Sequence, residues 1–256
     1  MSKISPKTAL ITGAARRIGR AIAAALARDG WAVVIHYHGS SDDADAAVGA
    51  IRTAGGRAYT LNADFAQHDQ VAGVMQRAIA VAGPIGCLIN NASIFERDDI
   101  GSVTPESWSS HVDINLRAPL FLSQAFAEQL PRSTHGAIIN IIDQRVWNLT
   151  PHFLSYTVSK TGLWTLTQTL ALALAPRIRV NAVGPGPTLP SPRQSIEQFA
   201  AQSRSMPLGR GTSPDEIAAA VGYILSAESM TGQMIALDGG QHLGWGSVPA
   251  DAPADD

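Results

Sequence analysis

Cysteine is nearly absent. Cys87 is the single one in 256 residues, so no intrachain disulfide can form, which predicts a reducing compartment. Charge is sparse and balanced: 16% of residues are charged, with 19 basic against 21 acidic and a formal net charge of −2. That excludes a basic nucleic-acid binder, and a hydrophobic content of 45% excludes a disordered chain. No apolar run approaches the roughly 18 residues that span a bilayer. Spacings of the Cys-x-x-Cys and His-Glu-x-x-His kind are missing, and the seven histidines are scattered, so no metal is expected. Residues 1–7 are polar, and the short apolar stretch after them is followed by Arg16 and Arg17, the wrong order for a secretory signal. A cytoplasmic protein is predicted. No repeat with a period of 20–50 residues is visible.

What is present is an alternation of short β-branched runs with longer helical patterns. Strands are predicted at 8–12, 31–37, 57–63, 85–90, 137–142, 178–183 and 234–237. Helices are predicted at 16–29, 41–54, 67–82, 111–130 and 155–175, with another opening at Ser213-Pro214. Ser213 with Glu216 three residues on is a capping-box pattern. Residues 185–192 hold four prolines and cannot be regular structure. Apolar strands alternating with helices imply an α/β, single-domain, doubly wound Rossmann fold with a mainly parallel sheet of about seven strands. Residues 1–248 form the expected domain, and 249–256 an acidic, frayed tail.

The turn after the first strand reads Thr12-Gly13-Ala14-Ala15-Arg16-Arg17-Ile18-Gly19. Gly13 permits a tight turn, the alanines permit close approach, and Gly19 permits helix–sheet packing beside a pyrophosphate. A bland glycine turn is the other reading. The second strand ends His36-Tyr37-His38-Gly39-Ser40, with no acid before Asp42. Without a carboxylate for the ribose 2′-hydroxyl, and with Arg16 and Arg17 across the crevice, a 2′-phosphate and hence NADPH is favoured; two solvated arginines at a helix start are the other reading. His36 and His38 read as cofactor-edge or surface residues, and Asp42, Asp43 and Asp45 as a solvated helix start. Asp64 either holds an adenine edge or caps the next helix.

Tyr156 and Lys160 lie one helical turn apart and share a face. An ammonium beside a phenol is expected to favour the phenolate and make Tyr156 an acid or base near neutral pH; an ordinary exposed lysine beside a half-buried tyrosine is the other reading of this common spacing. Asp143 ends an apolar strand, where ligands of doubly wound sheets gather, or caps a turn. Asn90, Asn91, Ala92 and Ser93 follow the fourth strand at the same edge. Asn115 sits in a predicted helix interior, where asparagine is mediocre, so either a polar role or a bond to backbone is expected.

Together these residues resemble the short-chain dehydrogenase/reductase family: Thr12-Gly13 with Gly19, Asn90-Asn91-Ala92, Asn115, Tyr156-x-x-x-Lys160, Pro185-Gly186 and Asp238-Gly239-Gly240. Two departures are similar to its pteridine reductase branch. Arg17 replaces the middle glycine, and Asp143 replaces the usual serine thirteen residues before the tyrosine. His36-Tyr37-His38-x-Ser40 and Asn91-Ala92-Ser93-x-Phe95 look the same way. The resemblance implies an NADPH-dependent reductase of a dihydropterin such as dihydrobiopterin or dihydromonapterin, assembled as a homotetramer, and leaves open whether dihydrofolate is accepted. It implies that Arg17, His38 and Ser40 hold the 2′-phosphate and Asp64 the adenine. Gly13, Arg16, Ile18, Gly19, His36, Tyr37, Asn91, Ala92, Ser93, Gly186 and Thr188 would also face the coenzyme, and Lys160 its nicotinamide ribose. Phe95 would stack on the pterin, with Ser93 and Pro187 nearby. Asp143 and Tyr156 would deliver the proton, with Lys160 and Asn115 completing the catalytic set. Ile94 stands where a polar residue is usual, and Gly39 where a basic one can occur. The first could alter the pocket and the second weaken the phosphate grip. Substrate choice is expected in residues 187–207. The rivals are a carbonyl reductase acting on a 3-oxoacyl thioester, against which the absent serine argues, and a non-catalytic NADP-binding regulator. Val112, Leu116, Phe121, Leu163, Trp164, Leu166 and Leu170 exceed what one sheet can cover, so a subunit interface is expected.

Overall fold

The computed structural model describes residues 4–191 and 193–244. The expected tail at 249–256 and Pro192 lie outside the described residues. Seven strands form one sheet: β1 (Thr8–Ile11), β2 (Ala32–Tyr37), β3 (Arg57–Asn62), β4 (Cys87–Asn90), β5 (Gly136–Ile141), β6 (Ile178–Pro185) and β7 (Met234–Leu237). Their order is β3-β2-β1-β4-β5-β6-β7 and every pair is parallel. The order in which strands are added across the sheet reverses between β1 and β4, which opens a crevice at their C-terminal ends.

Period-2 alternation sends neighbouring strand residues to opposite layers. Ala9, Ile11, Val33, Ile35 and Ile89 pack under α1 (Arg17–Arg28), α2 (Ser41–Thr53) and α8 (Pro214–Ser226). Leu10, Val34, Leu88, Ile138 and Val180 pack under α3 (His68–Ala82), α5 (Ala118–Gln129) and α6 (Leu154–Leu174). Both faces of the central strands are therefore dry, as their unbroken apolar runs require.

The predicted helix at 111–130 is divided. α4 (Pro105–Val112) begins earlier, behind a capping box in which Thr104 and Ser107 exchange side-chain and backbone bonds of 3.1 Å. A π-helical turn, Asp113–Arg117, joins it to α5. Pro119 explains the break, because it has no N–H to give the carbonyl of Asn115. A further helix, α7 (Ile196–Ser205), lies inside the stretch expected to choose the substrate. Its capping box, Ser195 with Gln198, is visible in the sequence but does not belong to a run with a clear apolar stripe. Leu163 is core rather than interface, and Leu116, Trp164 and Leu166 pack against it. The exposed apolar side chains of α5 and α6 are Leu120, Phe121, Val158 and Leu172.

Candidate active site

Two neighbouring cavities open at the C-terminal edge of the sheet. The larger, about 430 Å³, lies over the β1–α1 turn and is lined by Gly13, Arg16, Gly19, His36, His38, Asp64 and Ala92. The smaller, about 280 Å³, is lined by Asp143, Tyr156, Lys160, Gly186, Pro187 and Thr188. Arg17, Ile18, Asn91 and Ser93 line both.

The turn is built for close approach. Gly13 has φ +61°, and a Cβ there would lie 2.9 Å from Ala92 Cα. A Cβ on Gly19 would sit 2.6 Å from the carbonyl of Gly13. Asn91 Nδ2 donates to the carbonyls of Thr12 and Gly13 at 2.8 and 3.0 Å. Helix α1 has no side-chain cap and no acid in its first turn. Its positive N-terminal end is thus left for an external anion.

His36 was expected at the cofactor edge; it lines the larger cavity but acts as a bolt in its wall. It is 2% exposed. Its Nδ1 accepts from the Gly13 amide at 3.1 Å, so Nε2 carries the proton and donates to the Ala63 carbonyl at 3.1 Å. Burial pushes its pKa down to about 4; the Ala63 bond opposes this, and His38 and Arg77 add to it. The ring stacks on Phe65 at 4.0 Å.

Other expected residues are redistributed. Arg17 lines both cavities and donates to the carbonyls of Leu189 and Pro190 at 3.2 and 3.0 Å. Its φ of +52° in the first turn of α1 aims it there. Arg16 remains beside His38 and pairs with Asp43 at 2.5 Å, so Asp43 is not merely solvated. Tyr37 and Ser40 line neither cavity; Tyr37 packs on the core and Ser40 precedes α2. Asp64 lines the larger cavity and also caps a turn, Oδ1 accepting from Ala66 N–H at 2.9 Å. Asn115 is fully buried, faces neither cavity, and fastens Ile94 and Ser159 by bonds of 3.0–3.1 Å. Thr188 Oγ1 donates to the Gly186 carbonyl at 2.9 Å. Ser93 Oγ donates to the Ile94 carbonyl at 3.2 Å.

The chemical pair is intact. Tyr156 donates its phenolic proton to Asp143 Oδ2 at 2.9 Å, and Asp143 Oδ1 accepts from Arg145 N–H at 2.8 Å. Lys160 Nζ donates to the Ile141 carbonyl at 2.9 Å and stands 5.7 Å from the Tyr156 ring centre. The expected phenolate is overturned. Burial first, then the charge and hydrogen bond of Asp143, raise the Tyr156 phenol well above its ordinary range, against a smaller opposing pull from Arg145. Burial lowers Lys160 to about 8, with Asp143 pulling it back up. The phenol is accordingly held as a proton donor.

Phe95 stands on the cavity wall, but one stacking partner is Phe153, parallel at 4.3 Å. The Arg193 guanidinium lies 5.7 Å from the Phe95 centre and donates to the Phe95 carbonyl and to Glu96, both at 2.6 Å. Phe153, Gln144 and Gln241 were not singled out from the sequence. Gln144 and Gln241 line the smaller cavity, and each holds a buried side-chain oxygen with no partner among the described residues. Their signal is three-dimensional, and neither spacing nor periodicity marks them.

Residues 13–242 match the family model described as enoyl-(acyl carrier protein) reductase. The structure of FolM alternative dihydrofolate reductase 1 from Brucella canis, complexed with NADP, superposes with a TM-score of 0.93 at 46% identity, covering 98% of this chain and 99% of that one. An uncharacterized oxidoreductase of Methylorubrum extorquens is 38% identical, covering 94% of this chain and 99% of the relative. The 3-oxoacyl-[acyl-carrier-protein] reductase FabG of Staphylococcus epidermidis is 33% identical over 93% of this chain and 99% of its own. With its parallel sheet, glycine turn and Tyr156–Lys160 pair matched over nearly its whole length, the chain belongs to the short-chain dehydrogenase/reductase family of oxidoreductases.

Proposed function

We propose that the chain is an NADPH-dependent reductase that converts a dihydropteridine, dihydrofolate included, to the tetrahydro form at a ring C=N bond. The observation that carries this reading is the 2.9 Å bond between the Tyr156 phenol and the Asp143 carboxyl group on the smaller cavity. The similarity to the Brucella protein, described as an alternative dihydrofolate reductase, supports it.

The larger cavity would take the adenosine and pyrophosphate part of a dinucleotide whose nicotinamide end reaches the smaller one: the Gly13–Gly19 turn would hold the pyrophosphate against the uncapped end of α1. Arg16 and His38 would meet the 2′-phosphate, where the end of β2 offers no acid. When bound, NADPH supplies the hydride. The chain supplies the rest. Tyr156 holds a proton on its oxygen, ready for the ring nitrogen, and Asp143 orients that oxygen. Lys160 stabilises the phenolate left behind and takes its place from the Ile141 carbonyl. Phe95, backed by Phe153, forms a flat wall for a flat ring, and fixed placement lowers the entropic barrier. The unpartnered oxygens of Gln144 and Gln241 suit the N–H donors of an aminopyrimidine edge.

The test is turnover with NADPH on dihydrobiopterin, dihydromonapterin, dihydrofolate and a 3-oxoacyl ester. Reduction of one or more dihydropteridines, lost in Asp143→Ser, is the expected result; reduction of the ester alone would overturn the reading. The 33% identity to the reductase FabG favours the ester as the second reading. Assembly into a homotetramer, in the cytoplasm, completes the proposal. The exposed Leu120, Phe121, Val158 and Leu172 on α5 and α6 support self-association, and sedimentation as monomer alone would contradict it.

A further inference from the structure

Behind Tyr156 lies a buried polar cluster that touches neither cavity. Asp98, His111 and Ser155 are 3%, 1% and 0% exposed. Asp98 closes the start of α6 from a different segment. Its backbone carbonyl accepts from Phe153 N–H at 2.7 Å and Leu154 N–H at 3.3 Å, and its Oδ1 accepts from Ser155 N–H at 3.1 Å. Its Oδ2 accepts from the Ser155 hydroxyl and from Ser107 Oγ at 3.3 Å. Phe153, the residue before the helix, supplies no side-chain cap and has φ +58°, a conformation rare for an aromatic residue. The bonds from Asp98 hold it there.

The polarity of the cluster is determined. His111 Nε2 accepts from Glu96 N–H at 3.1 Å, so Nδ1 carries the proton. That N–H faces the Ser107 carbonyl at 2.9 Å and Ser155 Oγ at 2.7 Å. Ser155 therefore accepts from the imidazole and donates to the carboxylate. A serine nucleophile needs the opposite direction, with the imidazole taking its proton, so the cluster is not a hydrolytic triad.

The same helical turn carries both sides of the smaller cavity. Phe153 backs Phe95, and Tyr156 meets Phe95 edge-on at 4.7 Å while its hydroxyl reaches Asp143. We infer that Asp98, acting through Ser155 and His111, is a positioning residue that sets the phenol of Tyr156 against Asp143. The inference rests on Tyr156 as the proton donor, and not on which acceptor is reduced.

The test is Asp98→Asn, whose amide sets an N–H group against one of the donors that the carboxylate now satisfies. Three outcomes are expected. NADPH affinity by fluorescence titration stays unchanged. Turnover falls about 10–100-fold, the scale of an ångström-sized misplacement. In a Tyr156→Phe background the same substitution costs nothing further, because both changes act on one unit. A readout free of turnover is the ¹³Cζ resonance of Tyr156, one of four tyrosines, which should move toward that of a solvated phenol. Should Asp98→Asn not fold, Ser155→Ala, which leaves the imidazole proton its Ser107 partner, is read in the same way. Undiminished turnover, an equal loss in the Tyr156→Phe background, parallel loss of NADPH affinity or an unmoved resonance would each overturn the inference. If no dihydropteridine is reduced, the proposed substrate fails alone: turnover is then read on the accepted ketone, and the resonance needs no substrate.

Discussion

His36 makes a quantitative case. Its pKa in the fold is about 4 against an ordinary 6.5, chiefly through burial. The folded protein keeps the ring neutral, because a second N–H would confront the amide of Gly13. The unfolded chain faces no such restriction and takes up a proton as pH falls below 6.5. Stability from this residue is therefore fully present above pH 6.5 and is lost as pH falls toward 4. At about 1.4 kcal/mol per pH unit, the loss totals about 3 kcal/mol. The ring is 2% exposed, so solvent screening does not reduce that figure much. His36→Gln removes the titration. Urea unfolding of both proteins at intervals from pH 7 to pH 4 reads the stability difference, in which the other histidines cancel. That difference should shift by about 3 kcal/mol against the wild type over the interval. A difference independent of pH would refute the assignment of a neutral, bolting imidazole.

Three further outcomes follow from the site. Asp143→Asn should lower turnover about 10²–10⁴-fold, the range of acid–base catalysis, while NADPH binding by fluorescence stays the same. Gly19→Ala forces a Cβ to within 2.6 Å of the Gly13 carbonyl; overpacking of about 1–3 kcal/mol should lower Tm by about 2–10 °C in a thermal scan and weaken NADPH binding. Arg16→Ala should narrow the preference for NADPH over NADH about tenfold in kcat/KM, leaving NADH turnover unchanged, since one charge-assisted bond to a phosphate is lost.

Legibility followed the range of the forces involved. Leu10 and Ile11 face opposite layers because a strand alternates, and that is written locally. The same holds for Gly13 and Gly19, whose lack of a side chain is the message, and for Tyr156 and Lys160, one turn apart. The bonds that Arg17 makes were not legible, because its own φ of +52° and two carbonyls more than 170 positions away decide its direction. The phenolate expectation weighed Lys160 alone, whereas in the fold burial and Asp143 decide, with Arg145 the opposing charge. The helix at 111–130 ran through Pro119 because apolar periodicity outweighed one missing N–H. Phe153 carries no local mark at all, since its meaning is its stack on Phe95.

Two guanidinium fastenings flank the smaller cavity, one from Arg17 in its wall and one from Arg193 on Phe95. On one bank Arg17 grips two neutral carbonyls, and on the other Arg193 grips the neutral Phe95 carbonyl and the exposed carboxylate of Glu96. Dissolved electrolyte weakens the ionic clasp far more than the neutral one. Added salt thus loosens the charged half of the tie at Phe95, while the Phe95 carbonyl bond and the Arg17 bonds on the glycine-turn side keep their strength.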